Sequence, residues 1–369
     1  MKQSADIVVV GGGLCGLSIV QGLLRQDRDA VILEARSRWG GRTLSLQDDT
    51  GKGTRYDLGA AWVWPHNHRM LSVAQALGLA LEPQYATGNL VFQDAAGRVQ
   101  RDLAFSTMGG SFRMTGGIAQ LSETIAASLP PERALVEQTV AAIEATGNQM
   151  VVHCDSADGV ATWMANQVVL AMPPRVAAER IQFAPALEPA VLERLLNVPT
   201  WMAAQAKVVA IYEAPFWRDK GFSGDAISHV GPLAEIHDVT DSSDRRGALF
   251  GFVHPQALAA GMTDAELRSA SVEQLGVLFG DLTKRPVTVL SKIWGADPMT
   301  AISRDQNGPS SHPQYRPVAI ESGPFEGRLL LSGSETAPEH GGYLEGALEA
   351  AEATLASLAR SPSPLKSPS

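Results

Sequence analysis

Apolar residues fall in short glycine-bounded runs separated by stretches of helical spacing, the pattern of a parallel α/β sheet with crossover helices. Asp6-Ile7-Val8-Val9-Val10 is an unbroken apolar run ending in glycines, as expected of a central strand buried on both faces. Leu14, Leu17, Val20, Leu23 and Leu24 then recur at helical spacing, and 30–34 reads as a second strand, completing a βαβ opening. Further on, 66–79 and 117–129 are expected to be helical. Residues 134–152 and 161–171 are expected to be β, broken by turns at Gly147-Asn148 and Asp158-Gly159. A β-rich stretch over 202–212, a strand over 247–253 and a helix over 263–279 give the middle third an α+β character. A last glycine-bounded strand, 328–331, precedes Gly333, Gly341-Gly342 and a helix over 343–359; the Ser/Pro-rich tail 361–369 is expected to be disordered.

The length of 369 residues suggests about two domains, and 45% hydrophobic with 19% charged residues suits a globular protein. Thirty basic against thirty-nine acidic residues, a net charge of −9, match phosphate backbones and anionic lipid poorly, so no nucleic-acid or membrane partner is expected. No apolar run reaches about 18 residues. The segment after Lys2 reads as a strand rather than a leader, so a cytoplasmic location is expected. Cys15 and Cys154 are too few for a disulfide framework and lack metal-ligand spacing, which fits a reducing compartment and argues against zinc.

The sharpest local signal is Gly11-x-Gly13-x-x-Gly16 between strand and helix, with Glu34 closing the next strand eighteen residues later. The glycines allow a tight turn and close approach to a pyrophosphate at the helix N-terminus, where free N–H groups and the dipole favour negative charge. Leu14 and Cys15 lie inside this turn, Cys15 as a small packing residue. Glu34 would accept hydrogen bonds from ribose hydroxyls, whether the dinucleotide is NAD or FAD. Gly40-Gly41-Arg42, just beyond the acid, offers a second diphosphate contact and points to FAD.

The run Glu34-Ala35-Arg36-Ser37-Arg38-Trp39-Gly40-Gly41-Arg42-Thr43 resembles the amino-terminal signature of the flavin-containing amine oxidase family, which includes monoamine and polyamine oxidases. The resemblance extends through Asp57-Leu58-Gly59-Ala60-Ala61-Trp62, Met114-Thr115-Gly116-Gly117, the strand end Val169-Leu170-Ala171-Met172-Pro173-Pro174, Leu331-Ser332-Gly333-Ser334-Glu335-Thr336 and Gly342-Tyr343-Leu344-Glu345-Gly346-Ala347. It implies a Rossmann-type α/β FAD domain, discontinuous over 1–82, 114–196 and 296–360, with an α+β substrate domain over 83–113 and 197–295. It also implies Glu34 at the adenosine ribose, Arg42 along the pyrophosphate, Val140 at adenine, and Ala35, Arg36 and Gly41 as further cofactor-binding residues. Gly59, Ala60 and Trp62 would lie beside the flavin, Glu335 near the ribityl or phosphate, and Gly333 and the Leu344 N–H near the flavin N1–C2=O edge.

By the same resemblance Lys207, a lysine among apolar strand neighbours, holds a water against flavin N5 and aids oxygen reduction, while Tyr343 supplies one ring of an aromatic cage around the amine. The implied activity passes a hydride equivalent from the carbon next to nitrogen to flavin N5. Imine hydrolysis follows, and oxygen is reduced to hydrogen peroxide. A desaturase or dehydrogenase of the same superfamily and a non-catalytic flavin-binding partner are the alternatives. Two departures stand out. The second ring of the cage falls on Arg304 and the flavin-linking cysteine on Ser303, so FAD is expected to be non-covalent; Arg304 either points to the surface or meets a substrate carboxylate. Only about twenty residues replace the family's long helical insertion before Gly116-Gly117, which leaves a reduced substrate domain with Phe105, Met108 and Phe112 as candidate water-excluding residues. Trp62 and, less so, Trp64 are candidate cavity residues, and His66 and His68 lack the further ligands a metal would need.

Overall fold

The opening strand Ile7–Val10 lies in the middle of a five-stranded parallel sheet, flanked by Ala30–Leu33 and then Ala134–Leu135 on one side and by Gln167–Leu170 and then Leu329–Leu331 on the other. All four of its residues are buried, which is why the sequence shows an apolar run rather than an alternation. The structure, a computed structural model, describes residues 2–47, 54–157, 159–243, 245–309 and 311–360. Asp158 and the tail 361–369 therefore lie outside the described residues.

The chain divides into two compact units. The first comprises Met1–Gly41, Ser122–Trp201 and Pro309–Ser369, and the second Arg42–Leu121 and Met202–Gly308. In the first, the helices Leu14–Leu24 and Leu344–Arg360 meet at Gly22, where an added Cβ would lie 2.6 Å from Leu355 Cδ1. An antiparallel meander of Thr139–Thr146, Gln149–Ser156 and Gly159–Ala165 packs Ile143, Val152 and Trp163 onto the parallel sheet through Val8, Leu33 and Val168. The unit is a Rossmann-type α/β domain.

The second unit is built on a seven-stranded sheet in the order Thr288–Ile293, Ala206–Tyr212, Gly247–Val253, Leu233–Asp238, Phe222–Ser228, Asn89–Gln93, Val99–Leu103. One face buries Val208, Ala210, Leu249 and Val91 under the helix Asp264–Phe279, which is started by a capping box between Thr263 and Glu266. The other face carries Val209, Ile211 and Phe250 against Leu44, Tyr56 and Leu58. Between Asn89–Gln93 and the strand Phe112–Met114 stand only Val99–Leu103 and irregular residues, in keeping with a reduced substrate domain. By contact, residues 42–82, 114–121 and 296–308 cluster with this second unit, although the sequence reading groups them with the cofactor. Several elements are shorter than expected, the helix over 117–129 running Ala119–Ala127 and the strand over 328–331 starting at Leu329. The helix over 66–79 runs His68–Ala76, and the strand over 202–212 starts at Ala206, because Met202 takes a φ of 61° in a turn closed by the Gln205 N–H on its carbonyl. No described helix is long and apolar enough to cross a membrane.

Candidate active site

In the first unit the glycine turn leaves no space for a side chain at Gly11, Gly12 or Gly16, whereas Gly13 is open, its nearest atom to an added Cβ being the Gly40 carbonyl oxygen at 3.9 Å. A Cβ on Gly11 would lie 2.5 Å from the Ala171 carbonyl oxygen, one on Gly16 2.1 Å from that of Gly11, and one on Gly12 2.5 Å from the Trp39 ring. Gly13 is the N-cap of Leu14–Leu24 and makes no side-chain cap hydrogen bond, so the helix N-terminus is suited to an anion. Cys15 is buried with its Sγ 3.1 Å from Ser332 Oγ, a packing role. Glu34 is 3% exposed; its Oε2 accepts from the Gly12 N–H at 2.6 Å and its Oε1 from the Arg36 N–H at 2.8 Å. These donors fix the carboxylate, and each oxygen keeps a lone pair for a hydroxyl. The Gly40 N–H donates to the Gly12 carbonyl at 2.8 Å, and Gly41, at a φ of 56°, lies against Gly13. Ala35 and Arg36 are half-buried beside Glu34. Val140 is buried where the meander's register shifts.

The C-terminal part of the same unit turns at Gly333, φ 149°, into Ser334–Thr336, with Glu335 fully buried and accepting from Ser334 Oγ at 3.0 Å. The Gly342 N–H is tied to the Ser334 carbonyl at 3.0 Å, and the helix begins at Leu344, one residue after the expected start. A tight turn that only glycine fits at Gly11, Gly12 and Gly16, a fixed buried carboxylate and a helix start with no side-chain cap fit the adenosine and diphosphate of FAD.

In the second unit Lys207 is 6% exposed. Its Nζ donates to the Gly59 carbonyl and sits 5.3 and 5.0 Å from the centroids of the Phe250 and Phe252 rings. A Cβ on Gly59 would lie 2.0 Å from the Arg42 carbonyl oxygen, and the Ala60 N–H bonds that same oxygen at 3.1 Å, so backbone packing fixes this acceptor. Burial pushes the Lys207 ammonium down to about 8 against the opposing charge of Asp57. Burial pushes Asp57 up to about 6, against hydrogen bonds from Ser45 Oγ at 2.5 Å and the Ile118 N–H at 2.9 Å and the charges of Arg113 and Lys207. Near neutral pH both groups are mostly ionised, at the edge of their ranges.

Strand pairing places Lys207, Phe252, Glu235, Ile227 and Phe92 in one row across this sheet. In the adjoining row His237 is fully buried, its Nδ1 3.0 Å from Asp225 Oδ1 and its Nε2 3.1 Å from Glu235 Oε1. Burial disfavours its proton, but the two carboxyl groups outweigh that and hold His237 above the usual histidine range. The hydrogen bond from His237 lowers Glu235, whose side chain is 38% exposed. Trp62 closes the face, edge-on to His237 and Phe250 at 5.3 and 5.2 Å, its Nε1–H donating to Gln84 Oε1 at 2.9 Å. Ser106 Oγ donates to Asp225 Oδ2 at 2.6 Å and ties down the short segment that carries Phe105, which is 52% exposed, and Met108.

The amino-terminal part of the chain matches the NAD(P)-binding Rossmann-like domain over residues 9–77, and residues 89–354 match the model of the flavin containing amine oxidoreductases. The chain belongs to this family. It is 24% identical to a putative flavin-containing monoamine oxidase of Mycobacterium tuberculosis, over 96% of this chain and 97% of that protein. It is 25% identical to the putrescine oxidase of Kocuria rosea, over 93% and 92%. Among solved structures, putrescine oxidase bound to putrescine superposes with a TM-score of 0.79 at 21% identity, covering 97% and 100% of the two chains. Cyclohexylamine oxidase from Brevibacterium oxydans superposes with 0.79 at 20%, covering 96% and 98%. These likenesses show the amine oxidase fold, and the family makes the protein an FAD-dependent amine oxidoreductase.

Of the residues expected from sequence, Gly11, Gly13, Leu14, Cys15, Gly16, Glu34, Ala35, Arg36, Gly41, Val140, Gly333, Glu335, Tyr343 and Leu344 belong to the first unit. Arg42, Gly59, Ala60, Trp62, Lys207, Ser303 and Arg304 belong to the second. Ser303 and Arg304 are exposed in the turn Ser303–Asp305. Trp64 stacks on His66 at 6.3 Å, and His66 and His68 are exposed. Among the described residues Glu339, His340 and Glu349 could bring ligand atoms within 4.8 Å, but Glu349 accepts from the Glu339 and His340 N–H groups at 3.1 and 3.0 Å, which accounts for that cluster. Sequence reasoning missed Asp225, Glu235 and His237. Their one signal is the i, i+2 spacing of Glu235 and His237, which puts both on one face of a strand.

Proposed function

We propose that the protein oxidises an amine at the carbon next to nitrogen, with imine hydrolysis following and oxygen reduced to hydrogen peroxide. FAD supplies the electron acceptor when bound. Residues 1–82, 114–196 and 296–360 serve the cofactor and 83–113 and 197–295 the substrate. The chain's residues bind, orient and stabilise charge, and no protein base is required if the amine enters unprotonated. Gly11, whose N–H donates to the Leu33 carbonyl at 2.8 Å, and Gly16 keep the turn tight, Gly13 opens the helix N-terminus to the diphosphate, Glu34 holds the ribose, and the helix start at Leu344 faces developing negative charge.

The observation that carries the oxidase reading over a desaturase or a binding-only protein is Lys207. An ammonium buried to 6% exposure, fixed on a backbone carbonyl and close to its titration point, is suited to stabilising negative charge as oxygen is reduced. The oxygen half-reaction is therefore expected to slow as pH rises through about 8, where Lys207 loses its proton. The substrate class follows from the same sheet face. Glu235 stands two strands from Lys207, about 10 Å by strand spacing, as an ionised and partly exposed carboxylate. This favours an amine that carries a protonated second nitrogen beside the neutral reacting one, as a diamine such as putrescine, named for the similar oxidase, can.

The deciding measurement is the anaerobic visible spectrum of the purified protein before and after addition of monoamines, diamines and amino acids. Bleaching by one class supports the reading, and a bound flavin that no amine reduces overturns it. Two further outcomes are expected. Acid precipitation releases the flavin into the supernatant, because Ser303 stands where the family's linking cysteine falls; colour in the pellet would contradict this. Glu34→Ala weakens FAD binding about tenfold by loss of charge-assisted hydrogen bonds. Unchanged flavin content on dialysis would remove Glu34 from the site.

A further inference from the structure

The ring of Tyr343 is 52% exposed, yet one of its faces is covered. The imidazole of His312 lies parallel to it, 1° between planes and 4.9 Å between centroids. His312 Nε2 is 2.9 Å from the Gly341 carbonyl oxygen, so in the tautomer that donates there the imidazole is pinned to the loop that carries Tyr343. Trp201 packs edge-on against His312 at 4.8 Å, and Tyr315 at 5.9 Å. Those two rings rest on the paired glycines. A Cβ on Gly342 would lie 2.8 Å from Trp201 Cβ, and one on Gly341 2.3 Å from Tyr315 Cδ2, while Tyr315 Oη donates to the Pro199 carbonyl at 2.8 Å. The two glycines let three rings close around the loop, and His312 is the one that reaches Tyr343.

An amine held between two rings needs both faces at contact distance, about 7 Å between ring planes. Parallel rings whose centroids are 4.9 Å apart leave no such gap. We propose that His312 is a positioning residue that backs Tyr343 and fixes its ring angle, so that the substrate meets a single aromatic wall instead of a two-ring cage. The proposal rests on the oxidase reading for its chemistry and deepens it.

The test compares holoenzyme of the wild type, His312→Ala and His312→Phe in anaerobic stopped-flow flavin reduction, with hydrogen exchange of each apo-protein read over residues 341–346. His312→Ala is expected to lower the limiting reduction rate about tenfold, with substrate affinity within about threefold. The same variant should exchange faster over 341–346, and His312→Phe should restore the reduction rate and part of the exchange protection, because a flat ring returns without the hydrogen bond to the Gly341 carbonyl. Wild-type reduction and exchange in His312→Ala would overturn the proposal, as would a His312→Phe protein no better than the alanine variant. A wild-type flavin that no amine bleaches would sink the oxidase reading instead, and the exchange comparison would still decide whether His312 holds the Tyr343 loop.

Discussion

The Lys207→Met protein is expected to bind FAD and to be reduced by substrate at close to the wild-type rate, yet to reoxidise in air about 10²-fold more slowly, the scale set by loss of one preorganised charge-stabilising group. It should also melt no lower than the parent. Lys207 titrates near 8 in the fold against 10.5 for a free lysine, so the unfolded chain binds more protons across that window and stability rises with pH there. Below 8 the full cost of burying the ammonium stands, about 3 kcal/mol for the interval between 8 and 10.5. Asp57 is displaced the opposite way, to about 6 from 3.8. The folded state holds more protons across that window, stability falls as pH rises through it, and the cost stands in full above 6. Between 6 and 8 the fold thus keeps both charges at a loss, which a purely structural pair would not require. Methionine removes the ammonium at similar length, but Asp57 then loses a counter-charge, so the net gain in melting temperature is small. Stopped-flow reoxidation and calorimetry on the same preparation separate the roles. Normal reoxidation with a lower melting temperature would make Lys207 a structural residue.

The parts of the molecule legible from sequence are those whose residues are close neighbours in the chain. Ile7–Val10 shows its central position through four consecutive apolar residues, Gly247–Val253 falls where expected, and the helix expected over 263–279 runs Asp264–Phe279. The glycine turn and Glu34 are legible for the same reason, since one βαβ unit holds them all. The row from Lys207 through Phe252 to Glu235 is not, because it depends on the register of three strands whose order in the sheet differs from their order in sequence. Asp225 meets His237 only because Phe222–Ser228 pairs with Leu233–Asp238 in a particular register. His312 lies in an irregular stretch with no periodicity to place it, and its stacking on Tyr343 depends on packing around Gly341 and Gly342. Motif reading therefore reaches the glycine turn, Glu34 and the lysine, whereas the residues proposed to select the substrate are brought together by sheet register and loop packing.

Glu235→Gln is expected to raise KM for diamines about 30-fold with kcat little changed, and to leave monoamines within about twofold. A carboxylate–ammonium hydrogen bond in a partly buried site contributes roughly 1.5–3 kcal/mol, which spans about 10- to 150-fold in affinity. Glutamine keeps the shape and an acceptor for His237 Nε2 while removing the charge. His237 retains Asp225 at 3.0 Å as a carboxylate partner, so the sheet face should stay folded. The comparison between substrates carries the test. A monoamine engages only the end of the row near Lys207, so its binding is insensitive to the charge at Glu235; a diamine that spans the row loses its second anchor. Equal losses for both substrates would mean that the substitution disturbs the face as a whole through His237. An unchanged diamine KM would mean that Glu235 only balances the imidazolium beside it, and the preference for a substrate with a second, protonated nitrogen would fall while the oxidase chemistry at Lys207 stood.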